Sequence, residues 1–123
     1  MRRRRGTCVA VMLVALASAS CAARLSPGAP VVTPDGVRFV LEQSQARSVT
    51  VAGSFNDWSD TSHPLARDAR SGLWTATVVL PPGEHQFMFV VDDTEWVSPP
   101  LAEDYVDDGF GARNGVVIVR PAG

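Results

Sequence analysis

Two of the three tryptophans lie in polar segments rather than in apolar runs. Trp58 follows Asn56 and Asp57, and Trp96 follows Thr94 and Glu95. Each comes at the boundary of a strand-like segment. A large indole in a polar loop is typical of a recognition surface, although loop tryptophans also close the ends of β-sandwiches. Two of them at matching positions favour recognition.

The chemistry of these residues suits a sugar better than a phosphate. The surrounding sequence is acidic and offers no basic cluster to bind an anion. The C–H face of a pyranose ring packs on an aromatic face, while its hydroxyl groups need amide and carboxylate partners. Asn114 and the acidic residues near it are candidates for those partners. The residue types therefore indicate carbohydrate binding.

Length and charge limit the other possibilities. The 123 residues allow one domain of ordinary size. The chain has 11 Arg and no Lys, but four of the arginines occupy residues 2–5. After residue 21 there are 7 Arg and 13 acidic residues, a net charge of −6. Such an acidic domain repels polyphosphate, so we expect no nucleic-acid partner.

Catalysis and metal binding have little support. Residues 92–108 contain seven of the 13 acidic residues, but residues 103–109 lack the ligand spacing of a calcium loop. His63 and His85 have no nearby nucleophile that would suggest a triad. A glycosidase needs two opposed carboxylates in a cleft, for which this short chain has little material. We expect no enzyme activity, no metal and no cofactor.

The N-terminal segment is predicted to direct export. Four arginines precede an apolar stretch at residues 8–19, and small residues follow as far as Cys21. Residues 1–20 are therefore predicted to be a signal peptide. Cleavage after Ala19 fits the sequence. Cleavage before Cys21 resembles a bacterial lipoprotein signal, although Ser18 stands where Leu is usual.

The cysteine count favours lipid attachment at Cys21. Cys8 is lost with the signal peptide, so Cys21 has no partner for an internal disulfide in an oxidising compartment. Residues 21–35 are predicted to be the lipid-attachment site and a flexible tether with three prolines. The expected location is the cell envelope, as a membrane-anchored lipoprotein. The alternative is a periplasmic or secreted protein.

The remaining chain, residues 36–120, is predicted to be an all-β domain. No segment shows the helical spacing of apolar residues. Five strands are predicted at residues 37–41, 49–53, 73–80, 85–91 and 116–119. Turn residues separate them, and Pro81-Pro82-Gly83 predicts a hairpin. This pattern favours an antiparallel two-sheet sandwich, with Trp74 in its core beside Val78 and Leu80.

Three segments resemble a known family: residues 51–58 (VAGSFNDW), 72–74 (GLW) and 80–92 (LPPGEHQFMFVVD). Together they are similar to the glycogen-binding module of the AMP-activated protein kinase beta subunit. That module belongs with the family-48 carbohydrate-binding modules of isoamylases and branching enzymes. The resemblance covers roughly residues 36–120. It implies an immunoglobulin-like, early-set β-sandwich that binds α-1,4-glucans and catalyses nothing.

The resemblance also implies site residues. The family's two stacking tryptophans correspond to Trp58 and Trp96, and its sugar-binding Asn corresponds to Asn114. Phe110 stands in place of a Leu that inserts into cyclic glucans. Met88 stands in place of a Lys, and Ala112 in place of a Thr, so two polar contacts are missing.

Two functions remain open from the sequence. The first is an exported, lipid-anchored module that binds an α-glucan without catalysis. The second is a protein-interaction or scaffold domain of the envelope, which keeps the fold without binding sugar. Trp58, Trp96 and Asn114 favour the first function, whereas Met88 and Ala112 favour the second.

Overall fold

The computed structural model describes residues 25–121, and all the regular structure within that range is β-strand. The nine strands are β1 (Val31–Thr33), β2 (Gly36–Leu41), β3 (Val49–Gly53), β4 (Ala66–Arg67), β5 (Trp74–Val78), β6 (Gly83–Val91), β7 (Glu95–Val97), β8 (Asp104–Asp107) and β9 (Arg113–Val119). The prediction of an all-β domain is confirmed.

The strands form two antiparallel sheets. Sheet 1 has the order β1-β2-β5-β4, and sheet 2 has the order β3-β6-β9-β8. The short strand β7 pairs with the end of β6, where Phe89 is the partner of Val97. The N-terminal half of β6 pairs with β9 instead. This arrangement is the predicted two-sheet sandwich, consistent with an immunoglobulin-like fold.

The core lies between the sheets and is rich in aromatic rings. Phe39 of β2 meets Phe87 of β6 edge to face, with ring centroids 5.0 Å apart. Phe87 in turn meets Phe89 at 5.7 Å. All three rings are fully buried. Trp74 joins this cluster, and the prediction that it is a core residue is confirmed.

The alternation of side chains along β6 separates the core from the outer face of sheet 2. Phe87, Phe89 and Val91 belong to the core cluster. Successive side chains of a strand point to opposite faces, so Gln86 and Met88 point away from the core. The outer face of β6 is the platform on which the candidate site is built.

The predicted hairpin at Pro81-Pro82-Gly83 is wrong. β5 belongs to sheet 1 and β6 to sheet 2, so the segment carries the chain from one sheet to the other. β5 already ends at Val78, and Pro81 and Pro82, which have no backbone N–H to donate, do not continue a strand ladder. The turn residues were identified correctly, but they connect strands that do not pair.

Part of the predicted tether is a strand. Val31–Thr33 pair with β2 in antiparallel register, with Thr33 opposite Gly36. The Thr33 hydroxyl donates a 2.7 Å hydrogen bond to the Gly36 carbonyl and closes the turn. Two consecutive β-branched valines favour this extended pairing.

The predictions for the signal peptide and for Cys21 concern residues outside the described range. Within residues 25–121, no helix is long and apolar enough to cross a membrane.

Candidate functional site

A shallow groove of about 610 Å³ lies on the outer face of sheet 2. It brings together all five side chains that the sequence analysis assigned to carbohydrate binding, although they come from distant parts of the chain. The lining residues are Trp58, Gln86, Met88, Trp96, Val106, Asp107, Asp108, Phe110 and Asn114.

Met88 and Asn114 are the most deeply buried of the five predicted residues. Met88 is 7% exposed and is the cross-strand partner of Ala52 in β3. Asn114 is 8% exposed, and its Nδ2 atom donates a 3.1 Å hydrogen bond to Oε1 of Gln86. The base of the groove therefore combines a thioether with a pair of linked carboxamides.

Trp58 lies in a strained turn that follows β3. Asp57 has φ of 57° and Trp58 has φ of 58°, so both adopt the left-handed conformation that side chains with a Cβ disfavour. The Trp58 N–H donates a 2.9 Å hydrogen bond to the Gly53 carbonyl. Strain of this kind persists only where the surrounding structure enforces it, and it clusters at functional sites.

The side chain of Asn56 enforces the turn. Its Oδ1 atom accepts hydrogen bonds from the N–H groups of Gly53 and Ser59, at 3.0 and 3.2 Å. Its Nδ2 atom donates to the Val51 carbonyl at 3.1 Å and to Nδ1 of His63 at 2.8 Å. Four hydrogen bonds from one side chain therefore fix the backbone that carries Trp58.

Trp96 lies in strand β7 and not in the polar loop that the sequence analysis assigned to it. It is the cross-strand partner of Val90, which places it on the outer face of sheet 2. Its side chain is 44% exposed. The sequence did not reveal β7 because its neighbours Thr94 and Glu95 are polar and exposed, so no apolar alternation marks the strand.

Asp92 connects the turn before Trp96 to the segment that precedes β3. Its Oδ1 atom accepts hydrogen bonds from the backbone N–H groups of Arg47, at 2.6 Å, and Ser48, at 3.1 Å. These two hydrogen bonds lower the pKa of the Asp92 carboxyl group, and the bond from Arg47 has the larger effect. Asp92 therefore binds the β6–β7 turn to the connection between β2 and β3.

Phe110 projects from the β8–β9 loop and is 94% exposed. Asp108 shapes this loop, because its Oδ1 atom accepts hydrogen bonds from the N–H groups of Phe110 (2.7 Å) and Ala112 (3.0 Å). Gly109 and Gly111, with φ of 83° and 94°, supply the left-handed positions on either side. The loop holds an apolar ring at the rim of the groove with no protein side chain covering it.

The groove is acidic at one side and has no basic residue among its lining side chains. Asp107 and Asp108 are the charged members of the lining. Arg113 begins β9 but stacks its guanidinium on the ring of Tyr105, 4.5 Å from the centroid. The groove therefore disfavours an anionic ligand and suits a neutral one.

Gln86 and Val106 were missing from the predicted site, and Asp107 and Asp108 entered it only as acidic residues near Asn114. Gln86 has a signal in the sequence, because it alternates with Met88 on the outward side of a predicted strand. Val106, Asp107 and Asp108 belong to or follow β8, whose mixed and mostly exposed residues give no strand pattern. Only the fold shows that β8 lies beside β9.

Neither histidine lines the groove. Nε2 of His85 is 2.7 Å from the carbonyl oxygen of Pro81, and His63 accepts the hydrogen bond from Asn56. Across residues 25–121, no group of three or more His, Cys, Asp or Glu side chains is arranged to hold a metal ion. Both imidazoles are part of the structural hydrogen-bond network.

Residues 37–122 match the family model described as the glycogen recognition site of AMP-activated protein kinase. The chain belongs to this family. The match includes every residue that lines the groove. The resemblance drawn from the sequence segments is thereby confirmed for the family.

Two of the relatives of this chain illustrate where such a domain is found. The human 5'-AMP-activated protein kinase subunit beta-2 is 38% identical over 74 residues, which are 60% of this chain and 25% of that protein. The 1,4-alpha-glucan branching enzyme GlgB of Pseudomonas syringae pv. syringae is 45% identical over 51 residues. Those residues are 41% of this chain and 7% of the enzyme. The chain thus spans a minor part of either relative.

Proposed function

We propose that this domain binds an α-1,4-glucan, of the glycogen or starch type, without catalysing a reaction. The observation that carries the proposal is the groove on the outer face of sheet 2. It joins Trp58, Trp96 and Phe110 to the carboxamide of Asn114, although the four come from separate connections and strands. Membership in a glycogen-recognition family supports the same ligand class.

The composition of the groove suits a glucan chain. Indole faces stack on the apolar C–H faces of pyranose rings, and the amide groups bind hydroxyls. A groove of about 610 Å³ with two indoles in its lining has room for more than one glucose unit. Because no cation lines it, the ligand is expected to be uncharged.

The arrangement of carboxylates supports binding without hydrolysis. Glycosidases place two carboxyl groups on opposite sides of the scissile bond. Asp107 and Asp108 are neighbours in sequence and lie on one side of the groove. Asp108 also has an oxygen occupied by two backbone N–H groups of its own loop. Neither residue has an opposed partner among the lining side chains.

Titration with maltoheptaose tests the proposal. Trp58 and Trp96 line the groove, so bound sugar should change the tryptophan fluorescence, and glucose alone should have little effect. Calorimetry on the same samples gives the affinity. A folded domain with no response to millimolar maltoheptaose would contradict sugar binding and favour an envelope protein-interaction or scaffold role.

We also propose that the domain is exported and anchored in the cell envelope by acyl chains on Cys21. The support comes from the arginine-rich, apolar N-terminal segment and from the fact that Cys21 is the only cysteine after Cys8 in the sequence. Residues 22–30 then separate the anchor from β1. They leave a short span between the membrane and the domain.

Intact-mass measurement of protein extracted from membranes tests the anchor. We expect a chain that begins at Cys21 and carries the added mass of lipid, and a Cys21→Ser variant that leaves the membrane fraction. A soluble product that begins at Ser20 with a free thiol would reject lipidation.

A further inference from the structure

Gln86 and Asn114 form a joined pair of carboxamides in the groove. Nδ2 of Asn114 donates to Oε1 of Gln86 at 3.1 Å. Within residues 25–121, Gln86 Nε2 and Asn114 Oδ1 form no hydrogen bond with another protein group, so one donor and one acceptor of the pair remain for a ligand. A donor and an acceptor on two side chains that are hydrogen-bonded to each other are complementary to two neighbouring hydroxyl groups.

The backbone of Gln86 is held firmly in place. Its N–H donates to the Ser54 hydroxyl oxygen at 3.0 Å, and its carbonyl accepts from the Ser54 N–H at 2.9 Å. On the other side, Asn114 is fixed within β9 as the cross-strand partner of Val106. Both carboxamides are therefore attached to ordered strands, so little conformational entropy is lost when they bind a ligand.

Gln86 and Asn114 are the two neutral polar side chains among the residues that line the groove. The rings and the Met88 thioether provide apolar surface, and the Asp108 carboxylate is engaged by its own loop. No lysine or arginine lines the groove. Gln86 and Asn114 are therefore the side chains of the lining that can offer both a donor and an acceptor to hydroxyl groups, beside the acceptor oxygens of Asp107 and Asp108.

The ligand chemistry selects which hydroxyls these are. In an α-1,4-linked glucan, the oxygens on C1 and C4 of an internal glucose take part in the linkages. The hydroxyls on C2 and C3 are the remaining neighbours on the ring. They are the vicinal pair that an internal unit offers to a donor and an acceptor.

We propose that Gln86 determines specificity together with Asn114 by binding the C2 and C3 hydroxyls of one internal glucose. Gln86 Nε2 donates to one hydroxyl oxygen, and the neighbouring hydroxyl donates to Asn114 Oδ1. This inference rests on the proposed function and assigns Gln86 a contact that the sequence analysis did not. Because both protein groups are neutral, the affinity is independent of salt concentration.

The test combines a substitution in the protein with the removal of a hydroxyl group from the ligand. The ligands are maltoheptaose and its analogue built from 2-deoxyglucose, and the variant is Gln86→Leu. In the unmodified domain, removal of the C2 hydroxyl should weaken binding roughly tenfold, because it leaves a protein hydrogen-bonding group unpaired. In Gln86→Leu, the same removal should change affinity less than about twofold, because the paired arrangement is already lost.

A matched control lies on the same strand. Glu84 precedes Gln86 by two residues and points to the same face, but it lies outside the groove lining. Glu84→Leu should keep both the affinity for maltoheptaose and the penalty for the 2-deoxy analogue. Thermal unfolding of each variant verifies that it is folded, and Gln86→Ala replaces Gln86→Leu if the larger apolar side chain lowers stability.

The outcomes separate the two proposals. If the unmodified domain binds neither ligand, the proposed function fails and this inference fails with it. If it binds maltoheptaose and Gln86→Leu keeps the full penalty for the missing C2 hydroxyl, glucan binding stands and the role of Gln86 is overturned. If the loss of affinity for the 2-deoxy analogue disappears in Gln86→Leu and persists in Glu84→Leu, the result supports the inference.

Discussion

Nδ2 of Asn56 and Nδ1 of His63 lie 2.8 Å apart and join the two ends of the segment that contains Trp58. The same Asn56 side chain also binds backbone groups before and after it. A large aromatic residue with positive φ needs such support, because its conformation costs energy in isolation. Asn56 therefore positions Trp58 without lining the groove itself.

Replacement of Asn56 by Ala should lower both stability and affinity. The change leaves two backbone N–H groups and one carbonyl without their side-chain partner, which costs about 1–3 kcal/mol of unfolding free energy. The turn relaxes, so maltoheptaose affinity should fall towards that of Trp58→Ala. Urea unfolding and fluorescence titration measure the two effects. The control is Ser62→Ala, which changes an exposed side chain of the same segment. An Asn56→Ala domain with unchanged affinity for maltoheptaose would refute the positioning role of Asn56.

The two groove tryptophans should contribute separately to binding. Loss of either indole should remove about 1–3 kcal/mol of stacking, by analogy with bases stacked on aromatic side chains. That loss corresponds to roughly a tenfold to hundredfold weaker affinity. Trp96 is 44% exposed, so Trp96→Ala should leave the fold largely intact. Calorimetry with maltoheptaose measures both variants.

A double variant and a control sharpen this prediction. If each indole stacks on a different glucose, the effects of Trp58→Ala and Trp96→Ala should be nearly additive. Leu101→Ala removes another exposed apolar side chain, one that is outside the groove lining, and should not change affinity. If Leu101→Ala lost as much affinity as the tryptophan variants, the losses would reflect a general surface effect and not stacking in the groove.

Asn114→Ala should weaken binding less than loss of a tryptophan, by about 1 kcal/mol, because water replaces part of its hydrogen bonding. Asn114 is 8% exposed and its protein partner is the Gln86 carboxamide, so the variant should remain folded. Calorimetry compares it with Trp96→Ala. A loss as large as that of Trp96→Ala would show that polar contacts, and not stacking, dominate the affinity.

The sequence predicts those parts of the fold whose burial is regular. β2, β3, β6 and β9 carry alternating or continuous apolar residues, and each was predicted close to its observed position. β4, β7 and β8 are short and largely exposed, so nothing in their side chains distinguishes a strand from a loop. Their pairing is set by neighbours that are distant in sequence.

The candidate site was predictable where residue type alone carries the signal. Trp58 and Trp96 were identified because a polar environment does not bury an indole. Gln86 was not, since a glutamine on an outward strand position is ordinary until Asn114 is found beside it. Likewise, Pro81-Pro82-Gly83 identifies a turn but does not determine whether the following strand returns to the same sheet.

Trp74 should behave differently from the groove tryptophans. It is 7% exposed, lies in the core cluster, and donates from Nε1 to the Gln43 carbonyl at 3.0 Å. Trp74→Ala should cost about 3–5 kcal/mol through the cavity it leaves. In a domain of this size, that loss should lower the melting temperature by more than about 10 °C. A variant that melts within a few degrees of the parent would contradict the core assignment.

Acid should remove a stabilising contribution from Asp92. The N–H groups of Arg47 and Ser48 bind its carboxylate and lower its pKa in the folded state below the ordinary value of 3.8. A depressed folded-state pKa means that the charged form stabilises the fold. This contribution is fully present above the unfolded-state pKa and disappears as the pH falls through the folded-state pKa. It is therefore complete at neutral pH, begins to fall near the unfolded-state pKa of about 4, and is lost only below the folded-state pKa.

Asp92→Asn isolates this contribution. Asparagine tolerates the positive φ of 51° and keeps an acceptor oxygen, but it lacks the charge. The variant should be less stable than the parent at pH 7, and the difference should shrink as the pH falls below about 4. Urea unfolding across this range measures it. Asp68, whose pKa is also lowered, by hydrogen bonds from Ser71, titrates equally in both proteins and cancels in the comparison.

Asp93→Asn is the matched control for Asp92→Asn. Asp93 is the next residue and has a similar φ of 66°, and no hydrogen bond joins its carboxylate to another part of residues 25–121. Its replacement removes one carboxylate from the same turn without removing a side-chain hydrogen bond, so it should not reproduce the loss of stability that Asp92→Asn shows at pH 7. If Asp93→Asn destabilised the domain as much as Asp92→Asn, the hydrogen bonds from Arg47 and Ser48 would not be the source of the effect. The turn before Trp96 would then depend on backbone pairing alone.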